Sequence, residues 1–231
     1  MNRVIAVVEG PTEATFVKDV LAPWIVAHGV SLSARIVGKP GKKGGVGEFD
    51  RAFGDIETIL KSDRVAFVTT MLDYYGMPPS WPGRLDSKSQ PVAQRGEFVE
   101  KAIAGEVAKR LGSSLSKRFL PYVQMHEYEA LLFSGPDEIA RVLDDQRIRT
   151  PLDEILEQFG NPEAIDDDPA TAPSKRLTTL HPGYRKISHG KRIAEAIGID
   201  AIRRECPHFD GWIERLIGAT RDSTRPTRRD P

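Results

Sequence analysis

Four short apolar runs, rich in β-branched residues, divide the first half of the chain. They span residues 4–8, 31–37, 64–72 and 119–123. Each is long enough for a strand that is covered on both faces and too short for a membrane helix. Between the runs, apolar residues recur every three or four positions, which predicts amphipathic helices. Strands that alternate with helices predict a mostly parallel, Rossmann-like α/β sheet flanked by helices.

The second half of the chain has helical patterning and no strong strand signal. Residues 74–95 are rich in proline and glycine and predict a long loop. Residues 136–218 predict several short helices, and the last residues are basic and poor in apolar side chains. We therefore predict an α/β domain over residues 1–134, a helical extension packed on it over 135–218, and a disordered tail over 219–231.

Composition narrows the class of protein. The 33 basic and 33 acidic residues cancel, which disfavours a protein that merely coats nucleic acid. The balance suits an enzyme in which carboxylates hold a metal ion while basic side chains hold phosphate. One cysteine, Cys206, excludes an internal disulfide and a thiolate zinc site. Because no run matches a secretory leader or a membrane span, we expect a cytoplasmic protein without a membrane partner.

Acidic residues follow three of the predicted strands. Glu9 follows the first, Asp73 the third, and Glu127 with Glu129 the fourth. Parallel strands present their carboxyl ends at one edge of a sheet, where ligands bind. Carboxylate oxygens are the ligands of Mg²⁺ or Mn²⁺. The alternative is that these acids are solvated loop residues or helix caps.

Three motifs carry a resemblance to known proteins. They are Glu9-Gly10-x-Thr12-Glu13, Met71-Leu72-Asp73-Tyr74-Tyr75-Gly76 and His126-Glu127-Tyr128-Glu129-Ala130-Leu131-Leu132-Phe133. The first resembles the opening signature of the Toprim fold of topoisomerases, bacterial primases and related nucleases, and all three together resemble the domain-of-unknown-function family 4276 (DUF4276). The resemblance implies a Toprim-like fold, a role in bacterial anti-phage defence, and a partner ATPase of the AAA or ABC type encoded nearby.

The resemblance also implies roles for single residues. Glu9 matches the Toprim glutamate, a metal ligand or general acid/base, and Asp73 matches the first acid of the Asp-x-Asp motif. The second acid is replaced by Tyr75. Either Glu127 or Glu129 then supplies the missing carboxylate, and Glu13 is a candidate ligand for a second cation. If none does so, one metal ion or none binds.

Basic residues supply candidate phosphate contacts. Lys42 and Lys43 lie in a glycine-rich segment whose backbone N–H groups suit a phosphate; the alternative is an ordinary flexible connection. The segment lacks the Gly-Lys-Ser/Thr ending of an ATP-binding loop. A second basic patch, around Lys186, is either a nucleic-acid contact or a solvated face.

The leading hypothesis is a Mg²⁺-dependent nuclease that hydrolyses phosphodiesters of DNA or RNA, with Glu9, Asp73 and Glu127 in catalysis. The first alternative is a non-catalytic Toprim-like scaffold that binds a partner ATPase or nucleic acid, which Tyr75 favours. The second alternative is an enzyme acting on small phosphate esters.

Overall fold

The computed structural model describes residues 2–38, 45–165 and 171–222 of the chain. These residues form one parallel five-stranded sheet between two layers of helices. The predicted α/β architecture is therefore confirmed. The strands are β1 (Asn2–Val8), β2 (Val30–Ile36), β3 (Phe67–Asp73), β4 (Phe119–Leu120) and β5 (Val123–Gln124).

Helices occupy most of the remaining described residues. The α-helices are α1 (Pro11–Phe16), α2 (Ala22–Ile25), α3 (Phe49–Ser62), α4 (Val92–Leu111), α5 (Ser113–Ser116), α6 (Pro136–Val142), α7 (Arg149–Phe159), α8 (Pro173–Leu180), α9 (Lys186–Ile197), α10 (Ile199–Glu205) and α11 (Pro207–Asp222). A π-helical turn (Val17–Leu21) joins α1 to α2, and 3₁₀ turns lie at Val26–His28, Asp86–Ser89, Tyr128–Ser134, Gln146–Ile148 and Pro162–Ala164.

The side chains of β1 show how the sheet is covered on both faces. The strand order is β2-β1-β3-β4, and β5 pairs with β3 farther along. Alternate side chains of β1 point to opposite faces. Val4, Ala6 and Val8 pack in a core with α1, α9 and α11, whereas Val7 packs in a second core with α3 and α4. A continuous apolar run is what this two-sided burial requires.

The fourth predicted strand, residues 119–123, is wrong as a single element, because it is divided into β4 and β5. Pro121 lies between the two and has no N–H to donate to the ladder. The Thr70 side chain bridges the gap, since its hydroxyl accepts from the Tyr122 N–H at 2.9 Å and donates to the Tyr122 carbonyl at 2.8 Å. The two short strands therefore keep one direction, and β5 still ends beside β3.

The helical part contacts the sheet through buried aromatic residues. The Trp212 Nε1–H donates to the Thr69 hydroxyl at 2.8 Å, and the Trp212 and Tyr122 rings stack with centroids 4.2 Å apart. Helix α11 continues to Asp222, so the tail predicted from residue 219 begins inside a helix. Residues 223–231 lie outside the described residues.

None of the helices in the described ranges combines the length and the apolar character that crossing a membrane requires.

Candidate functional site

The carboxyl ends of the strands bring the predicted acids together. Glu9 follows β1, Asp73 ends β3, and the segment after β5 carries Glu127 and Glu129. The negative charges of Glu13, Glu9, Glu129 and Glu127 all act on the Asp73 carboxyl group. We call Glu9, Glu13, Asp73, Glu127 and Glu129 the carboxylate cluster. The acids that follow the strands in the sequence therefore lie close enough together to act on one another.

Glu9 is held against the loop that follows β3. Its Oε2 is buried and accepts no hydrogen bond. A Cβ atom on Gly76 would lie 3.3 Å from this oxygen, so the glycine makes room for the carboxylate. Burial, followed by the charge of Glu13, raises the pKa of Glu9 from 4.5 to about 7. The surroundings of Glu9 therefore disfavour its charged form.

Asp73, like Glu9, has a buried oxygen without a hydrogen-bond partner. The residue as a whole is partly exposed, but its Oδ1 is buried. Burial, and then the charges of Glu13 and Glu9, raise the pKa of Asp73 well above 3.8. A positively charged ligand would reverse both effects, because it would favour the ionised forms.

Glu129 is the most deeply buried acid of the cluster, at 1% exposure. Burial raises its pKa to about 7, and the charge of Lys186 opposes this shift. Beside it lies Tyr184, which is 8% exposed and whose hydroxyl makes no hydrogen bond. Burial and then the Glu129 charge raise the pKa of Tyr184 above its ordinary value of 10.0. This side of the cluster thus contains two buried polar atoms without a directed hydrogen bond.

Glu127 is anchored by the helical part of the chain. The Ser174 backbone N–H, in the first turn of α8, donates to Glu127 Oε2 at 3.0 Å. The other oxygen, Oε1, lies 3.8 Å from the Lys186 ammonium. The carboxylate is therefore held in one orientation from outside the sheet.

Glu13 has a structural role of its own. Its Oε2 accepts a hydrogen bond of 2.8 Å from the Gly10 N–H, at the start of α1. This is the reciprocal contact of a helix cap. The helix-cap alternative therefore describes Glu13, although its charge still acts on Asp73 and Glu9.

Lys186, the first residue of α9, is a site residue that the sequence analysis did not assign. Its ammonium lies 3.4 Å from Glu129 Oε1 and 3.8 Å from Glu127 Oε1. Burial alone would lower the pKa of Lys186, but Glu129, Glu127 and Asp73 together raise it. The only available signal was indirect: acids gathered at one edge need a cation, and Lys186 lay in a basic patch of unknown location.

Comparison with known proteins identifies a family. The family model described as a domain of unknown function (DUF4276) matches residues 8–217. The chain belongs to this family. The matched range contains the whole carboxylate cluster together with Ser174, Tyr184 and Lys186. No curated protein and no solved structure matches the chain.

Other candidate residues of this DUF4276 chain lie outside the carboxylate cluster. Lys42 and Lys43 lie outside the described residues. Tyr74 and Trp81 are buried, and their polar atoms bond to Ser87 Oγ at 2.9 Å and to the Gly47 carbonyl at 2.7 Å. Both side chains therefore pack in the protein interior, where as placed they are not accessible to a nucleic-acid base.

The donor chemistry of the cluster fits a hard divalent cation. All its donors are carboxylate oxygens, and Glu9 Oε2, Asp73 Oδ1 and Glu129 Oε1 are buried without a hydrogen bond. As they stand, however, no three Asp, Glu, His or Cys side chains in the described ranges are arranged to hold a metal ion. A bound cation would have to draw the carboxylates of this DUF4276 chain closer together.

Proposed function

We propose that the carboxylate cluster binds Mg²⁺ or Mn²⁺ and that the protein hydrolyses phosphodiesters of nucleic acid, as a Toprim-type nuclease. The observation that carries the proposal is the convergence of acids from three strand ends, with buried oxygens of Glu9 and Asp73 that lack partners. A buried polar atom without a hydrogen bond is unfavourable, and a bound cation would supply the missing partner.

The charge of the cluster supports a cation rather than an anion as its first ligand. Five carboxyl groups act on one another, and the nearby Lys186 supplies a single positive charge. Burial is the largest cause of the raised pKa values of Glu9 and Glu129, both about 7, and the neighbouring negative charges add to it. Strongly perturbed carboxyl groups at the carboxyl edge of a parallel sheet are typical of a functional site.

The residues divide into two roles. Glu9, Asp73 and Glu129 offer the unpartnered oxygens and would hold the cation. When bound, a divalent cation stabilises charge on phosphoryl oxygens and lowers the pKa of a bound water. Glu127 is 13% exposed at its side chain and is oriented by Ser174, which suits it to accept a proton from the attacking water.

The biological setting in this proposal rests on the resemblance. Glu9 and Asp73 stand at the positions of the Toprim glutamate and of the first acid of the Asp-x-Asp motif. The resemblance assigns such proteins to anti-phage defence with a partner ATPase of the AAA or ABC type. We therefore propose an effector whose nuclease activity that partner controls.

Substitution of the two strand-end acids tests the proposal. Wild type, Glu9→Gln and Asp73→Asn are incubated with DNA, RNA and tRNA in Mg²⁺ or Mn²⁺. We expect each variant to lose at least about 100-fold in cleavage rate, because ligands that hold a catalytic metal are removed. Glu154→Gln, which changes an exposed glutamate on α7, is the matched control. Equal cleavage by all four proteins would dispose of the assignment.

A second candidate is a non-catalytic scaffold that binds a partner ATPase or nucleic acid. It is favoured by Tyr75 in place of an acid and by the lack, in the described residues as placed, of three side chains set for a metal ion. Calorimetric titration with Mg²⁺ separates the two candidates. The scaffold predicts no heat that depends on Glu9 or Asp73.

A further inference from the structure

The Lys186 ammonium stands where the cluster converges, and it is held loosely. Its distances of 3.4 and 3.8 Å to Glu129 and Glu127 exceed the roughly 2.7–2.9 Å of a good charge-assisted hydrogen bond. The Lys186 side chain is 51% exposed. An exposed lysine with long contacts gains little from its ion pairs. The ammonium can therefore leave without disturbing the core.

The surroundings of Lys186 are incompletely satisfied. Glu129 Oε1 and the Tyr184 hydroxyl are buried and make no hydrogen bond, although both residues are more than nine-tenths buried. The charge of Lys186 also acts on Glu9 and Glu13. One ammonium thus serves several acids through long contacts of 3.4 Å or more, which suits a place where an ion with more charge and more ligands can bind.

We propose that Lys186 is the internal counter-ion of the ligand-free cluster and that a divalent cation displaces its ammonium on binding. This inference rests on the metal site of the proposed function and adds a competitor within the chain. Displacement explains why no three side chains among the described residues are already arranged to hold a metal ion. Acids spaced around an ammonium at 3.4–3.8 Å are too far apart for Mg²⁺, whose ligands lie at about 2.1 Å.

Mg²⁺ calorimetry on charge variants is the first test. Lys186→Gln removes the competing charge and is expected to bind Mg²⁺ about tenfold more tightly than wild type, or better. Lys186→Arg keeps the charge and is expected to bind Mg²⁺ no more tightly than the wild type does. Lys191→Gln is the matched control on the same helix, because Lys191 pairs instead with Asp19 at 3.1 Å and Glu195 at 3.6 Å. Equal or weaker binding by Lys186→Gln would overturn the inference.

Chemical labelling of the wild type is the second test and does not depend on any variant folding. The protein is treated with trace acetic anhydride with and without Mg²⁺, and the modified lysines are quantified by mass spectrometry. Displacement is expected to raise the labelling of Lys186 several-fold and to leave Lys191 unchanged. Labelling of Lys186 that is unchanged or slower in Mg²⁺ would overturn the inference.

The two tests separate this inference from the proposed function. If Lys186→Gln binds Mg²⁺ more tightly but the wild type cleaves no nucleic acid, displacement stands and the nuclease assignment fails. If the wild type cleaves nucleic acid, but Lys186→Gln does not raise the Mg²⁺ affinity and Mg²⁺ does not raise the labelling of Lys186, the nuclease assignment stands and displacement fails.

Discussion

Removing the charge of the buried Glu129 should stabilise the metal-free protein at alkaline pH. The pKa of Glu129 is raised from 4.5 to about 7 in the folded chain, with burial as the largest cause. The folded state therefore holds this proton more tightly than the unfolded state does. The contribution is fully present below pH 4.5 and is lost as the pH rises to about 7.

The size of the effect follows from the pKa difference. A difference of about 2.5 pKa units at 1.36 kcal/mol each gives about 3 kcal/mol. At about 2–4 °C per kcal/mol for a chain of this length, the melting temperature should respond by about 6–12 °C. Glu129→Gln keeps the shape and removes the charge. At pH 8 it should exceed the wild type in stability by an amount of this order.

Urea unfolding in EDTA, followed by tryptophan fluorescence at pH 5 and pH 8, measures the difference. The wild type should lose stability between the two pH values, and Glu129→Gln should lose about 2.5 kcal/mol less, because part of the contribution is already lost at pH 5. Glu154→Gln, on the exposed face of α7, should follow the wild type. Parallel pH profiles for wild type and Glu129→Gln would refute the reasoning, because they would mean that Glu129 is not held in an unfavourable charged state.

Three further predictions test the metal site and the fold. Mg²⁺ should raise the melting temperature more at pH 8 than at pH 5.5, because protons compete with the cation for the raised carboxyl groups; equal shifts would contradict this. Gly96→Ala should lower the free energy of unfolding by about 1–3 kcal/mol, since its Cβ would lie 2.6 Å from His208 Nε2. On the same helix Gly105→Ala, with nothing within 4 Å, should instead raise it by about 0.5–1 kcal/mol, and urea unfolding distinguishes the two. Thr70→Val should cost about 2–3 kcal/mol in the same assay, because both buried hydrogen bonds to Tyr122 are lost; a loss well under 1 kcal/mol would contradict the bridging role.

The sheet and the positions of its acids could be predicted because both follow from the local pattern of apolar residues. A continuous β-branched run as short as residues 4–8 favours a strand covered on both faces, and the acid that follows such a strand lies at the carboxyl edge. The division at Pro121 was overlooked, although the missing N–H was visible in the sequence. The pattern of apolar residues alone did not reveal that Thr70 would replace the lost ladder contacts.

The contribution of the helical part was not predictable in the same way. Ser174 and Lys186 reach Glu127 from α8 and α9, far along the chain. Helical periodicity specifies which face of a helix is buried but not which helix end meets a distant strand. The basic patch around Lys186 could therefore be seen in the sequence, whereas its location beside the cluster required the fold.

A comparison within the chain separates the cluster from an ordinary buried acid. Glu163 is also buried, and burial raises its pKa. Its two oxygens nevertheless accept hydrogen bonds from the His208 N–H at 2.8 Å and the Phe209 N–H at 2.9 Å, at the start of α11. Glu163 is thus a satisfied helix cap, and nothing more is needed to explain it.

Glu9 and Asp73 of the cluster have no equivalent internal explanation. Glu9 Oε2 and Asp73 Oδ1 are buried like the oxygens of Glu163, but the described chain offers them no hydrogen bond. Where acids elsewhere meet a cation directly, the pKa falls: Arg147 lowers that of Asp145 to about 2. The fold therefore can satisfy buried acids, and it does so for Glu163 and Asp145. Buried carboxyl oxygens without a hydrogen bond, gathered at one place at a cost in stability, are expected where a ligand completes the site.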